Sequence, residues 1–402
     1  MCMNFKKKAF LVIALFYICY VLFPLFGDLL QISPILASIV TLLVCVVLYP
    51  RALANRTMIW CSLYLFILYI YLCVGKPITV GIGNMSDSRK FIIECAFLLP
   101  PLAIYSILLH LNDIKINKVI AVSSIAMIVI TAVYLFPLLM ESRTLLRVDD
   151  ARENIALQIP GIPLYTLMHG YAILFPIFLY NYHVSFKKII AIVLLIVISY
   201  LIYSSYVTTS LILSVISILF AIIYHAKNKT TVFVILFLMS TALGILIYTG
   251  AIGKFIDWLV IFYDGTFVAE KISDVKASLA GKSITGRSIV GRMEYHNISL
   301  NSFVSNPIFG TGVIGAHSFI IDRLGGMGLV VFIPFAAMFI SILKKNYCRL
   351  ISHDAKAYYW LVIFLITVML YNKGLFGKEG WLIMSVIIPS CLITFERRNN
   401  KQ

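Results

Sequence analysis

Long apolar runs, each closed by charged or turn-forming residues, recur along the whole chain. At about 20 residues per helical crossing they predict about twelve spans. These start near Ala9, Gln31, Thr57, Lys90, Val119, Leu164, Ile189, Thr208, Thr230, Met327, Ala357 and Gly380. An even number returns the chain to its starting side. Two connections are far longer than the rest, Glu141 to Pro163 and Ala251 to Gly326, and loops of that length in a helical bundle are functional or disordered. The pattern therefore predicts an all-α polytopic membrane protein: one integral domain over 1–402, with long outer loops at 141–163 and 251–326.

The longer loop has a pattern of its own. In GKFIDWLVIFYDG, residues Phe255, Ile256, Trp258, Leu259 and Phe262 make one apolar face that fits a helix lying on the membrane surface. Farther on, Ile289, Met293, His296, Leu300 and Phe303 recur at three- and four-residue spacing. This predicts a helix that packs through those positions and stops before the Asn306-Pro307 turn. Arg292 flanks that stripe. Arg287, five residues earlier, falls about 140° around the helix, so only one of the two arginines addresses a given buried site, and Arg292 is the better placed.

Composition excludes an ordinary soluble enzyme, since 61% of residues are hydrophobic, 12% are charged and mean hydropathy is +0.98. A net charge of +16 would suggest nucleic acid in a soluble protein, but its placement gives another meaning. Lys6, Lys7 and Lys8 precede the first span. Alternate loops then carry Arg51 and Arg56, Lys115 and Lys118, Lys187 and Lys188, Lys227 and Lys229, and Lys344, Lys345, Arg349 and Lys356, before the tail Arg397, Arg398 and Lys401. The acids on that side are Asp113, Asp354 and Glu396. The excess is an orientation signal that puts both termini in the cytoplasm, and it calls for no nucleic-acid partner. KKKAFLVIALFYICYVLF resembles a secretory signal, but its apolar run is too long and no small-residue cleavage site follows it, so it reads as a retained helix. The cysteines form no CxxC and avoid both long loops, which supports neither a disulfide framework nor a zinc site.

Candidate chemistry gathers on the outer side. Gly310-Thr-Gly312-Val-Ile-Gly315 matches GxGxxG without the strand and βαβ unit that a dinucleotide site needs. These glycines are expected to let the backbone turn tightly and approach a ligand. His317 follows, between Arg292 and Arg323. It is either a solvated structural histidine or a substrate-contacting group able to act as general base near neutral pH. In the shorter loop Arg143, Arg147 and Arg152 stand beside Asp149, Asp150 and Glu153. They fit a solvated helix laced with ion pairs, or a guanidinium grip on a pyrophosphate or sugar. Glu94, four residues after Lys90, is expected to pair with it. The outer loops hold no DxD, which argues against a metal-held nucleotide diphosphate, so no metal or other cofactor is expected and arginine must neutralise any phosphate there.

The order Gly291-Arg292, Asn306-Pro307-Ile-Phe-Gly310-Thr-Gly312, His317 and Gly325-Gly-Met-Gly328 resembles the bacterial O-antigen polymerase and O-antigen ligase superfamily. The motifs span roughly fifty residues, each weak alone and moderately specific in combination. The resemblance implies a multi-pass inner-membrane glycosyltransferase of GT-C-like architecture, with a periplasmic active site and an undecaprenyl-diphosphate-linked oligosaccharide as donor. It implies that Arg292 stabilises the departing diphosphate and His317 orients or deprotonates the acceptor hydroxyl, with a helix starting at the last glycine motif. Arg287 and Arg323 would contact diphosphate or sugar, and Asn306, Pro307, Gly310 and Gly312 would form the active-site turn. Ser318 stands where asparagine is common, and Thr208-Thr209-Ser210-Leu211 lacks an arginine that ligase-like members often carry, which tilts the reading to polymerase. A ligase acting on lipid A-core, or a flippase or other transporter of lipid-linked saccharide, are the alternatives; a chain-length regulator and a flippase would be partners of a polymerase.

Overall fold

Apolar runs become helices because a backbone away from water must satisfy its N–H and C=O groups within one segment. The computed structural model describes residues 5–74, 79–80, 87–141, 164–184, 188–205, 208–226, 251–262, 289–315, 318–372 and 377–399, with isolated positions between 230 and 273. Its helices are α1 (Phe5–Leu22), α2 (Pro24–Leu30), α3 (Pro34–Leu48), α4 (Pro50–Leu53), α5 (Arg56–Val74), α6 (Asp87–Leu111), α7 (Ile114–Glu141), α8 (Leu164–Val184), α9 (Lys188–Ser204) and α10 (Thr208–His225). They continue with α11 (Ala251–Phe262), α12 (Ile289–Ser305), α13 (Phe319–Arg349), α14 (His353–Asn372) and α15 (Lys378–Leu382), which runs through a π-helical turn at Ile383–Ile387 into α16 (Ile388–Asn399).

A helix lies at each expected span except the ninth, most of which is outside the described residues; Thr230, Val234, Phe237, Leu238 and Thr241 there are helical. Among the described residues, five stretches are long and apolar enough to cross a membrane: Lys90–Leu111, Ile114–Phe136, Phe319–Arg349, His353–Tyr371 and Lys378–Glu396. The chain is an all-α, multi-pass membrane protein.

The Lys378–Glu396 stretch forms the centre of the bundle, buried along its whole window. Around it α8 packs on α9, α10 and α14, α16 on α7, and α5 on both α6 and α13. Sharp reversals are built locally. Asn112 ends α6 at φ 41°, a left-handed conformation that asparagine tolerates at a helix C-terminus. Asp113 then opens α7 by accepting the amide of Lys115 at 2.9 Å, and it accepts Lys7 Nζ at 2.8 Å.

Other contacts sort the connections by end. Lys345 Nζ donates to Asn55 and Thr57, Tyr224 donates to Asp354, and Glu396 accepts the amides of Ile351 and Ser352. These residues lie in or beside connections that the lysine-rich pattern assigns to the cytoplasm. At the opposite ends of α5 and α13, Thr79–Val80 (β1) pairs in parallel with Val313–Ile314 (β2). This pairing has no signature in either segment, because two residues on each strand carry no period. The glycine string therefore contains a strand instead of following one, and no βαβ unit surrounds it among the described residues.

Candidate functional site

The string Gly325-Gly-Met-Gly328 does not start a helix. It breaks one, since α13 already runs from Phe319 and leaves helical geometry at Gly328, where φ is 66° and ψ is −172°. A break inside an apolar bundle strands backbone donors and acceptors, and each must find a partner. Here the turn after α12 supplies them. Thr311 N donates to Gly325 O at 3.2 Å and Gly312 N to Gly326 O at 3.0 Å. On the other side of the break, Leu329 N donates to Pro307 O at 2.9 Å and Val330 N to Ile308 O at 3.1 Å. Asn306 closes the turn by accepting the amide of Gly310 at 2.8 Å. Gly310 has φ 67°, and a Cβ there would sit 2.6 Å from the backbone of Gly326 and Met327. The close approach foreseen for these glycines is thus to the backbone of α13.

Helix α12 ends at Ser305, just before Asn306-Pro307; of the expected stripe, His296 and Phe303 are half-buried, Leu300 is exposed, and the side chains of Ile289 and Met293 lie outside the described residues. Among the described residues its fully buried positions are Ser299 and Ser302, whereas Leu300 is 41% exposed and Val304 is 74% exposed. Small residues let two helix backbones come together in a membrane protein, and a Cβ on Gly325 would overlap the Ser299 carbonyl. Ser302 Oγ adds a bond to Gly325 O at 2.8 Å. Leu300 and Val304 accordingly stay exposed.

A short polar network ties the loop before α13 to this pair of helices. Gly315 N donates to Ser299 Oγ at 2.8 Å, and Ser299 Oγ donates to Asp322 Oδ1 at 2.6 Å. Asp322 Oδ2 accepts Ser318 N at 2.9 Å, and Ser318 Oγ caps α13 by accepting Ile321 N at 3.2 Å. Ser318, the departure from asparagine, is thereby an N-cap. Both flanks of the 316–317 dipeptide are bound to one hydroxyl–carboxylate pair.

Arg323, next along α13, spans three helices. Nη2 is 2.7 Å from Glu94 Oε1 on α6, Nε is 3.3 Å from Tyr64 Oη on α5, and the guanidinium carbon lies 3.4 Å above the centre of the Phe319 ring. Glu94, expected to pair with Lys90 one turn away, is held by Arg323 and by Tyr64 at 2.9 Å. Partly buried charge of this kind persists because each group meets an opposite charge and hydrogen bonds. Arg323 was expected to contact diphosphate or sugar; its charge is met by Glu94.

Arg292 lies on the first turn of α12, with its side chain outside what is described. His317, Arg287, Arg143, Arg147 and Arg152 lie outside the described residues. Of the surface-helix face, Ile256 is buried, while Trp258 and Phe262 are exposed with their rings stacked at 5.4 Å. Reading the sequence did not single out Ser299, Asp322 or the Glu94–Arg323 pair. The signals available were small residues three apart, Ser299 and Ser302, and a serine–aspartate pair four apart, Ser318 and Asp322. No protein-family model matches the chain, and no curated protein matches it.

Proposed function

We propose that the protein is a polysaccharide polymerase joining undecaprenyl-diphosphate-linked repeat units on the periplasmic face of a bacterial inner membrane. A hydroxyl of one lipid-linked unit attacks the anomeric carbon of the chain carried by another. The new glycosidic C–O bond forms as the bond to diphosphate breaks, the diphosphate departs with the electron pair, and His317 takes the hydroxyl proton. Arg292 meets the charge that develops on the leaving group, the kind of preorganised electrostatic contribution that dominates such reactions. In this reading no metal or other cofactor takes part.

The observation that carries the reading is that the resembling motifs among the described residues make one unit. The turn from Asn306 to Gly312 fills the break in α13, and α12, the helix of Arg292, packs on that same helix through Ser299 and Gly325. A transporter would use a broken helix differently, leaving unwound backbone groups to coordinate its cargo. The groups freed at Gly325, Gly326, Leu329 and Val330 are all taken by the turn itself.

The test is purified protein in lipid vesicles given only lipid-linked repeat units and a chelator. A ladder of longer lipid-linked chains is expected. A ligase would give none without added lipid A-core, and a flippase would move substrate and lengthen nothing. Loss of the ladder on chelation would overturn only the metal-free part.

A further inference from the structure

Histidines from three helices meet at the end of the bundle that the lysine-rich pattern assigns to the cytoplasm. His183 lies in the last turn of α8, His225 in the last turn of α10, and His353 opens α14. The His183 and His225 rings stack, with centroids 3.6 Å apart and planes 21° from parallel. His225 Nε2 also lies 3.1 Å from the hydroxyl of Tyr358 on α14, so this one imidazole holds the end of α10 against two helices. Both stacked rings belong to exposed residues, so protons reach them from solvent.

Charge decides what the stack tolerates. Two neutral imidazoles stack without repulsion and a single imidazolium is accommodated by a neutral neighbour, but two imidazolium rings face to face repel at this distance. The acids described nearby are already engaged. Asp354 on α14 takes the hydroxyl of Tyr224 at 2.8 Å, and that oxygen faces His353 Nδ1 at 2.9 Å. Glu396 on α16 takes the amides of Ile351 and Ser352. Lys188, at the start of α9, adds positive charge, its Nζ 5.7 Å from the centre of the Tyr182 ring. Partial covering of the ring, then His225 and Lys188, hold the His183 imidazole below the usual histidine range against a weaker pull from Asp354. We infer that His183 and His225 form a proton-sensitive clasp, stacked while the pair carries at most one proton and parted when a second arrives, which frees the last turn of α10 from α8. A base held low in the closed stack takes its proton more readily once the rings separate. Closure is therefore fully favoured above the ordinary histidine value of about 6.5 and is lost as pH falls toward the lower value of the closed stack. The clasp works independently of what the outer site binds.

The experiment uses the full chain in lipid nanodiscs, with spin labels on Ile189→Cys and Ile222→Cys in a background whose native cysteines are replaced. Both positions are exposed, and α9, which carries Ile189, packs on α8, while Ile222 belongs to α10. Label-to-label distances are compared at about pH 7.5 and about pH 5.5, on either side of the histidine value. Wild type should gain a longer-distance population at the lower pH. His183→Phe keeps a ring for His225 to stack on and removes one charge, so it should hold the neutral-pH distance throughout. In a second measurement, NMR of ring-labelled histidine, the His183 signal should titrate at a higher pH in His225→Phe than in wild type, shifted toward about 6.5. His353→Gln leaves the stack intact and should open as wild type does. Wild-type distances that ignore pH overturn the inference, as does a His183→Phe protein that still opens or a His183 titration unmoved by His225→Phe. Loss of the response in His353→Gln overturns it too, since the sensor would then be the Tyr224, His353 and Asp354 group.

Discussion

Oγ of Ser299 lies 2.6 Å from Oδ1 of Asp322, and this single hydroxyl joins two helices to the loop between them, because it also accepts the amide of Gly315. Both side chains are buried. Ser299→Ala removes a donor from the carboxylate and an acceptor from the amide, so it should cost about 1–3 kcal/mol. Thermal unfolding in detergent reads the loss. Ser305→Ala is the control, since that exposed hydroxyl bonds the carbonyl of Asn301 within its own helix. Equal unfolding temperatures for the two variants would remove the network from the account of stability.

Gly310→Ala should be worse tolerated than Gly253→Ala. The first forces a Cβ into φ 67° and to 2.6 Å from the backbone of α13; the second meets nothing within 4 Å in a helix. Alanine at a positive φ destabilises, whereas alanine within a helix stabilises by about 0.5–1 kcal/mol relative to glycine. Expression level and unfolding temperature should separate the two in opposite directions from wild type.

Glu94 and Arg323 should show coupling. Removing one partner leaves a poorly exposed charge uncompensated, a loss of about 3–5 kcal/mol in buried settings, while replacing both by apolar residues of similar size is far milder. Glu94→Leu and Arg323→Met should therefore each lower the unfolding temperature more than the double variant does. Additive losses would mean that the pair at 2.7 Å contributes no more than packing.

These residues also mark where the sequence was legible. Helix positions follow from apolar runs, and the end of α12 before Asn306-Pro307 follows from turn chemistry. What was not legible is which face of α12 is buried. Hydrophobicity pointed to Leu300, but the close approach to α13 belongs to Ser299, whose carbonyl a Cβ on Gly325 would overlap. The Lys90–Glu94 expectation used helix spacing alone, while the partner that holds Glu94 is 229 residues away. The break at Gly328 was read as a helix start for a similar reason. Glycines announce a departure from helical geometry without saying on which side the helix continues.

The Lys7–Asp113 pair gives a pH dependence. The hydrogen bond from Lys7, with the amide of Lys115, holds the Asp113 carboxyl below its usual range, and the same bond to Asp113 raises the Lys7 ammonium. For the depressed carboxyl the contribution is present above the ordinary value of about 3.9 and disappears as pH falls through the lower folded value. For the raised ammonium it is present below about 10.4 and disappears as pH climbs through the higher folded one. Asparagine is an equally good N-cap, so Asp113→Asn isolates the charge. The gap in unfolding temperature between wild type and variant should hold across the neutral range, narrow at both extremes, and shrink with added salt because the pair is partly exposed. A gap independent of pH would assign it to the cap instead.

Orientation can be read with a native label. Cys348 is exposed near the end of α13, and Val313, 43% exposed in β2, precedes the start of the same helix. The 31 residues of α13 include an apolar stretch long enough to cross a bilayer, so the two positions should lie on opposite sides. The Lys344, Lys345, Arg349 and Lys356 cluster assigns Cys348 to the cytoplasm. In a background whose other cysteines are replaced by serine or alanine, an impermeant thiol reagent applied to intact spheroplasts should label Val313→Cys and spare Cys348. Inside-out vesicles should reverse the pattern. Labelling of both from one side would deny that α13 spans the membrane, and the reversed assignment would put the Asn306–Gly312 turn on the cytoplasmic face, where the proposed periplasmic polymerisation has no place.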